Sequence, residues 1–531
     1  MSKYIRTGKL VLTAVVVLFF AGIATYFACD SSLQSAEQSP PSVSFAPDKK
    51  SDENASEGEV FDPIKKNGEY FVGWPKPDLA FVFTGFQDGY IEPCGCAGML
   101  EMKGGLSRRM SFLESLRQME WPVVAIDGGD LCNSSTGKQN ELKFNHTVDA
   151  FKLMKYDAVG LGKNDLRFPA ADLLPITVNI PDVGNMFTCA NVGLFHFDQS
   201  YLAPYKVIEK NGLRIGIVSI VTNGLIGEIA KNDLEIVDPV VKLKELLAEL
   251  DKEKCNYLVL ISHGKPGQVL KETQEILKSF PKKFPIVVVS DPPAEPPRAA
   301  PKFIDDRYYI EVGEKGKFAV VLGIYDDEKT PTRYQSVALD SRYTNAPLIV
   351  EMMKNYQDLL KELKIPALVK SFEHPKSEML GNFVGSKKCE SCHEVSYNVW
   401  NKSGHAGAWK TLLETAVPPR DHDPECIACH VVGWNATDKY PYTGGFNADE
   451  PMKTGHLSAV GCESCHGPGE KHIEAEMGRN KTLQAELQQA MRLPLESAQR
   501  NCVTCHDGDN SPHFNFETYW PKIEHKEYED E

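Results

Sequence analysis

Basic residues are in deficit: 58 Lys and Arg stand against 73 Asp and Glu, a formal charge of -15 over 531 residues. A surface of that sign repels phosphate backbones, so no nucleic-acid partner is expected. Compositional bias is also lacking. With 40 Gly, 34 Pro, 42% hydrophobic and 25% charged residues, the chain is not collagen-like, wholly disordered or a polytopic membrane protein. Its length predicts two or three folded units. Cysteine and histidine are sparse over most of the chain, yet eight of the 14 Cys and ten of the 14 His fall after residue 382.

Lys3, Arg6 and Lys9 precede an uninterrupted apolar stretch at 10–28, close to the minimum that spans a bilayer. Residues 1–29 therefore read as a membrane anchor or an export signal, with Cys29 a poor lipoprotein-like site after Tyr26 and Phe27. Either way the basic flank stays inside and the remainder is exported, which predicts a periplasmic protein with the membrane as a partner of its N-terminal segment. Residues 30–72, rich in Ser, Pro, Asp, Glu and Lys, cannot offset their ordering entropy by burial and are expected to form a flexible linker.

Between 73 and 344, short Val- and Ile-rich runs at 79–83, 123–127, 158–162, 213–221, 257–262, 286–290 and 318–323 alternate with helical patterns such as 106–117, 147–155 and 240–250. Continuous apolar strands joined by helix-length connections predict a layered α/β sandwich with its site at the strand ends.

The order of TGFQDG (84–89), GGLSRR (104–109), DGGD (127–130), YDAVGLGKND (156–165), AN (190–191) and ISH (261–263) resembles the 5'-nucleotidase branch of the calcineurin-like metallophosphatases. The resemblance covers about half the chain and implies a pair of metal ions about 3.5–4 Å apart, held by carboxylates and imidazoles. Asp130, Asn164 and His263 match the family's ligands. Phe86 and Asp88 replace its Asp-x-His, Asp165 replaces a His, and SDPP (290–293) replaces its Gly-His-x-His. So depleted a donor set predicts an inherited scaffold without a divalent metal or phosphatase activity.

Cys94, Cys96, Cys132 and Cys189 fall in loops beside that site, where one or two disulfides are the expectation for an exported protein and a soft-metal site of four sulfurs the alternative. Cys255, just before a strand, reads as an inert buried thiol. Residues 345–382 form a connector whose apolar face at helical spacing (Leu348, Val350, Met352, Met353, Tyr356, Leu359, Leu360 and Leu363) is expected to pack between domains, with Pro366 closing the helix.

The sharpest signal lies at 383–531. Cys389-Cys392-His393, Cys426-Cys429-His430, Cys462-Cys465-His466 and Cys502-Cys505-His506 are four copies of Cys-x-x-Cys-His. Two thiols at this spacing reach the two vinyl groups of one porphyrin and the adjoining imidazole reaches its iron, so four covalently attached haem c groups are expected. Two zinc sites built from CxxC pairs leave the His after every second Cys unexplained. For the opposite face of each iron, His405, His472, His525 and His456 are candidates, whereas His422 and His513, flanked by Asp or Pro, read as solvated surface residues.

FVGSKKCESCH (383–393), the Trp-x-x-Ser-x-His-Ala of 400–406, DPECIACHVVG (423–433), Gly444-Gly445 and VGCESCHGPG (460–469) are similar to the tetrahaem cytochrome c family typified by the electron acceptor of hydroxylamine oxidoreductase. That resemblance implies His405 on the third haem, His472 on the first, His525 on the fourth, and an open second haem at His430. His456 departs from the family pattern, and as a ligand it would close that face. The expected function is electron transfer between a redox protein donor and acceptor, in a mainly α, haem-packed domain beside a docking or structural α/β domain. The alternatives are a multihaem oxidoreductase acting on a small nitrogen or oxygen compound at one five-coordinate haem, and a 5'-nucleotidase-like hydrolase carrying haems.

Overall fold

The computed structural model describes residues 61–93, 100–135, 137–178, 185–229, 234–290 and 293–525. The apolar stretch at 10–28 and the linker to residue 60 lie outside them. Among the described residues no helix is long and apolar enough to cross a membrane. The linker expectation for 61–72 is corrected: Asp62 caps a helix at Pro63–Asn67 through the amide of Ile64, the Tyr70 hydroxyl accepts the amide of Ala338, and Phe71 stacks on Phe112 and meets Trp121 edge to face.

Among its described residues the α/β part contains thirteen strands. In chain order they are β1 (Leu79–Thr84), β2 (Val123–Asp127), β3 (Ala158–Val159), β4 (Val192–Gly193), β5 (Tyr205–Lys210), β6 (Leu213–Val221) and β7 (Glu235–Ile236). Then follow β8 (Tyr257–His263), β9 (Ile286–Ser290), β10 (Lys302–Ile304), β11 (Arg307–Ile310), β12 (Phe318–Ile324) and β13 (Thr332–Ala338). One sheet has the order β13-β12-β1-β2-β3 and the other β10-β11-β9-β8-β6-β5, while β4 and β7 form a separate pair.

Alternation along each strand builds the layers. Phe81 and Phe83 of β1, Val124 and Ile126 of β2, Ile215 and Ile217 of β6, and Val259 and Ile261 of β8 meet between the two sheets. Their neighbours Ala80, Val82 and Val123 face outward, toward helices at Leu106–Gln118 and Lys138–Met154. Val218, Ile220 and Leu260 face a second helical layer that includes Leu243 and Leu247. The expected sandwich is thus a helix–sheet–sheet–helix stack.

The connector helix spans Pro347–Leu363, and Ile349, Met353, Tyr356 and Leu360 are buried in the same core as the outer face of the first sheet. The backbone turns at Lys364, with φ at +67°, and Pro366 sits inside the short helix Ile365–Leu368 that follows. Phe61–Glu531 packs as one unit. The C-terminal part is made of short helices, and its apolar clusters are small: Phe383, Leu412, Ile427, Val431, Val432 and Phe446 in one, Leu380, Ala475 and Leu487 in another.

Candidate functional site

Parallel pairing brings the C-terminal ends of the strands together, with Thr84 beside Asp127 and His263 beside Ser290. This is the edge at which open α/β sheets bind ligands. The buried Asp127 carboxylate accepts from the Thr84 hydroxyl at 2.6 Å and the Gly129 amide at 2.8 Å, and pairs with the fully buried Arg109 at 3.4 Å. Asp165, where the resembled family has a histidine, accepts the amides of Asp130 (2.7 Å), Leu131 (2.8 Å) and Gly162 (2.9 Å), which joins two strand-end loops. Asp130 accepts the Asn164 amide at 2.8 Å, and its other oxygen lies 4.0 Å from Nδ1 of His263. A Cβ on Gly162 would fall 2.3 Å from the Asp130 carboxyl, so a side chain at 162 would displace it.

Burial pushes both Asp130 and Asp165 up, and the Asp130 charge pushes Asp165 further. His263 is held down to about 4 by burial, with Nδ1 2.7 Å from the Ser290 hydroxyl. The matching residues Asp130, Asn164 and His263 are thus gathered in one place, with one Asp130 oxygen and Nδ1 of His263 engaged by protein groups and Nε2 of His263 buried without a hydrogen-bond partner. No cluster of three or more His, Cys, Asp or Glu suited to a metal ion occurs among the described residues. Cys132 and Cys189 are buried free thiols, so neither of the two is in a disulfide. Cys94 and Cys96 lie outside the described residues. Cys255 is half-buried rather than buried, and free.

Each Cys-x-x-Cys-His folds as a helical turn. The amide of His393 donates to Cys389 O at 2.9 Å, that of His506 to Cys502 O at 2.9 Å and that of His430 to Ile427 O at 2.8 Å, while Cys462–His466 is a short helix. Positions i, i+3 and i+4 then share a face, the arrangement a thioether-bound porphyrin with an axial imidazole requires. The turns also neighbour one another: the thiol of Cys389 lies beside that of Cys462, and that of Cys429 beside that of Cys505.

Among the described residues, imidazoles face each other in three pairs. Ring centres are 6.3 Å apart for His393 and His472, 6.1 Å for His405 and His506, and 6.0 Å for His466 and His525. An imidazole nitrogen lies about 1.1 Å from its ring centre and binds first-row metals at roughly 2.0–2.1 Å, so two imidazoles across one iron have centres about 6.2–6.4 Å apart. The outer nitrogens are engaged as metal-bound imidazoles require: Nδ1 lies 2.7 Å from Met491 O in His466, 2.6 Å from Ala408 O in His430 and 2.9 Å from Ile523 O in His525. His472 turns Nδ1 toward Glu476 at 3.7 Å. The three hydrogen bonds would leave Nε2 of His466, His430 and His525 as the nitrogen available to a metal. Burial lowers the pKa of His405, His430, His466, His472 and His506, which favours the neutral, ligating form. The residues present therefore fit haem.

Two expected pairings are corrected. His405 faces the fourth motif rather than the third, and His525 faces the third rather than the fourth. His405 is nonetheless tied by its backbone to the third motif, because its carbonyl accepts the amide of Val460 at 3.2 Å. His456 is exposed, its ring set against Gly385 at the approach to the first motif. His422 is buried rather than solvated, with Nδ1 3.2 Å from Asp421 and Nε2 3.4 Å from Asp449. His513 is exposed, and pairs with Glu101 of the α/β part at 2.9 Å.

Sequence reading passed over Glu463, inside the third motif. Its buried carboxylate accepts the amides of Val384 (2.9 Å), Gly385 (2.7 Å) and Gly469 (2.8 Å), bracing the approach to His393 and the turn before His472. A Glu between two cysteines looks like an exposed helix position, and nothing in the sequence marks it as buried.

Comparison with known proteins divides the chain. Over the α/β part the chain is similar to the 5'-nucleotidase precursor of Thermus thermophilus, at 18% identity and a TM-score of 0.43, covering 54% of this chain and 60% of that one. It is also similar to a calcineurin-like phosphoesterase of Bacillus subtilis, at 12% identity and a TM-score of 0.39, covering 53% of this chain and 97% of that one. The curated cytochrome c-554 of Nitrosomonas europaea is 35% identical over 99 residues, which are 16% of this chain and 39% of that protein. The chain therefore spans well under half the length of this relative. Residues 388–467, holding the first three haem-binding motifs, match the family of cytochrome c554 and c-prime.

Proposed function

We propose that this protein is a periplasmic tetrahaem c-type cytochrome that transfers electrons between redox proteins, tethered to or exported across the membrane by its N-terminal segment. The observation that carries the reading is the set of three facing imidazole pairs, each joining a motif histidine to one of His405, His472 and His525. Cys389, Cys392, Cys426, Cys429, Cys462, Cys465, Cys502 and Cys505 would hold the porphyrins, and His393, His430, His466 and His506 the irons. Haem supplies a one-electron couple. At the three paired sites imidazole on both faces would leave no coordination position for a substrate, which favours electron transfer over turnover there. The chain's own part is to keep the rings neutral, aim Nε2 inward and exclude water. An acidic balance after residue 382, 23 acidic against 14 basic residues, favours a low potential.

The α/β part, in this reading, has given up metal-dependent hydrolysis, because Asp165 and Asp127 are engaged by backbone amides and Arg109. A pyridine haemochrome spectrum quantified against protein mass tests the main proposal: four haems per chain are expected, and a colourless or zinc-bearing protein would overturn it. Vigorous manganese-dependent cleavage of a chromogenic phosphoester by the full chain would overturn the second.

A further inference from the structure

We propose that the α/β part serves the haem segment directly, by fixing the second Cys-x-x-Cys-His turn against its strand-end face, with Asp423 as the positioning residue. The proposal rests on reading 426–430 as a haem-binding turn.

Asp423 is 6% exposed and lies three residues before Cys426. One carboxylate oxygen accepts Nε2 of Gln139 at 2.7 Å, the other Nε2 of Gln357 at 2.8 Å. Gln139 belongs to the helix Lys138–Met154 of the α/β part and Gln357 to the connector helix. The first oxygen also accepts the Glu425 amide at 3.1 Å, capping the helix Pro424–Ile427 that carries Cys426. Three segments remote in sequence thus converge on one buried carboxylate. Capping alone needs only the local amide. Burying a carboxylate is costly unless its oxygens are satisfied, and here two glutamines on packed helices satisfy them.

The surrounding contacts act on the same turn. The buried Lys143 ammonium pairs with Glu425 and donates to Gly89 O at 3.0 Å, and Arg420 pairs with Glu92. Gly89 and Glu92 lie in the loop after β1, where the resembled family begins its metal site. Lys315 and Lys317, on the loop before β12, both pair with Asp509, three residues after His506. The strand-end face therefore grips the second and fourth motifs. An imidazole held seven residues beyond Asp423 takes its orientation, and its iron takes its local field, from this anchoring.

The test is a redox titration, followed optically and by electron paramagnetic resonance, of full-length holoprotein carrying Asp423→Asn. The amide would set a donor against one glutamine donor. Four haems per chain should be retained, and one reduction equilibrium constant should change about tenfold, which is 59 mV for one electron. Gln139→Leu, which removes one donor from the far side, should move the same haem, whereas Lys315→Ala with Lys317→Ala should move a different one. Four potentials that coincide with the parent's, or four that drift together, would overturn the proposal. A parent protein without haem would instead defeat the reading on which it rests.

Discussion

His405 faces His506 with ring centres 6.1 Å apart, while its own carbonyl accepts the amide of Val460, just before the third motif. One residue thus braces two motifs, its backbone on the third and its imidazole on the fourth. Trp400 reinforces this, donating its indole N–H to Val460 O at 2.8 Å.

His405→Ala should therefore open the haem of the fourth motif and not that of the third. One of the low-spin ferric signals should convert to high-spin and gain cyanide binding. The assignment fails if the altered haem instead tracks with a His466 substitution.

His456→Ala should leave every haem's spin state as in the parent, because its ring is set against Gly385. A new high-spin signal in this variant would show that His456 is a ligand.

His146, on the helix beneath Tyr356, is held down to about 4 from 6.5, chiefly by burial. A base with a depressed folded pKa favours the folded state when neutral, so its contribution is complete above pH 6.5 and is lost as the pH falls toward 4. The loss is about 3 kcal/mol at most. Urea unfolding of the parent and His146→Gln at neutral and acidic pH measures it: the parent should lose more stability than the variant. Parallel losses would contradict the assignment.

Arg109→Met should destabilise the α/β part by about 3–5 kcal/mol, because it strands the buried Asp127 carboxylate without its counter-ion. The denaturation midpoint is the readout, and a change below about 1 kcal/mol would mean that Thr84 and Gly129 alone satisfy Asp127.

The Cys-x-x-Cys-His turns were legible in the sequence because their spacing is local, and 123–127, 213–221 and 286–290 because buried strands are largely apolar along their length. The half-exposed edge strand Tyr205–Lys210 and the strand Thr332–Ala338 were passed over, since their polar residues carry little periodic signal. The partners of His405 and His525 depend on how remote segments fold back, which spacing does not encode. His422 misled for a related reason: flanking aspartates suggested solvent, whereas one of them and Asp449 enclose it.

Asp165 has a consequence for how the two strand-end loops hold together. Its two oxygens act as a keystone for three peptide groups from both loops. Installing a histidine at this position would knock out that keystone. A change at this one carboxylate would therefore be felt in both loops at once.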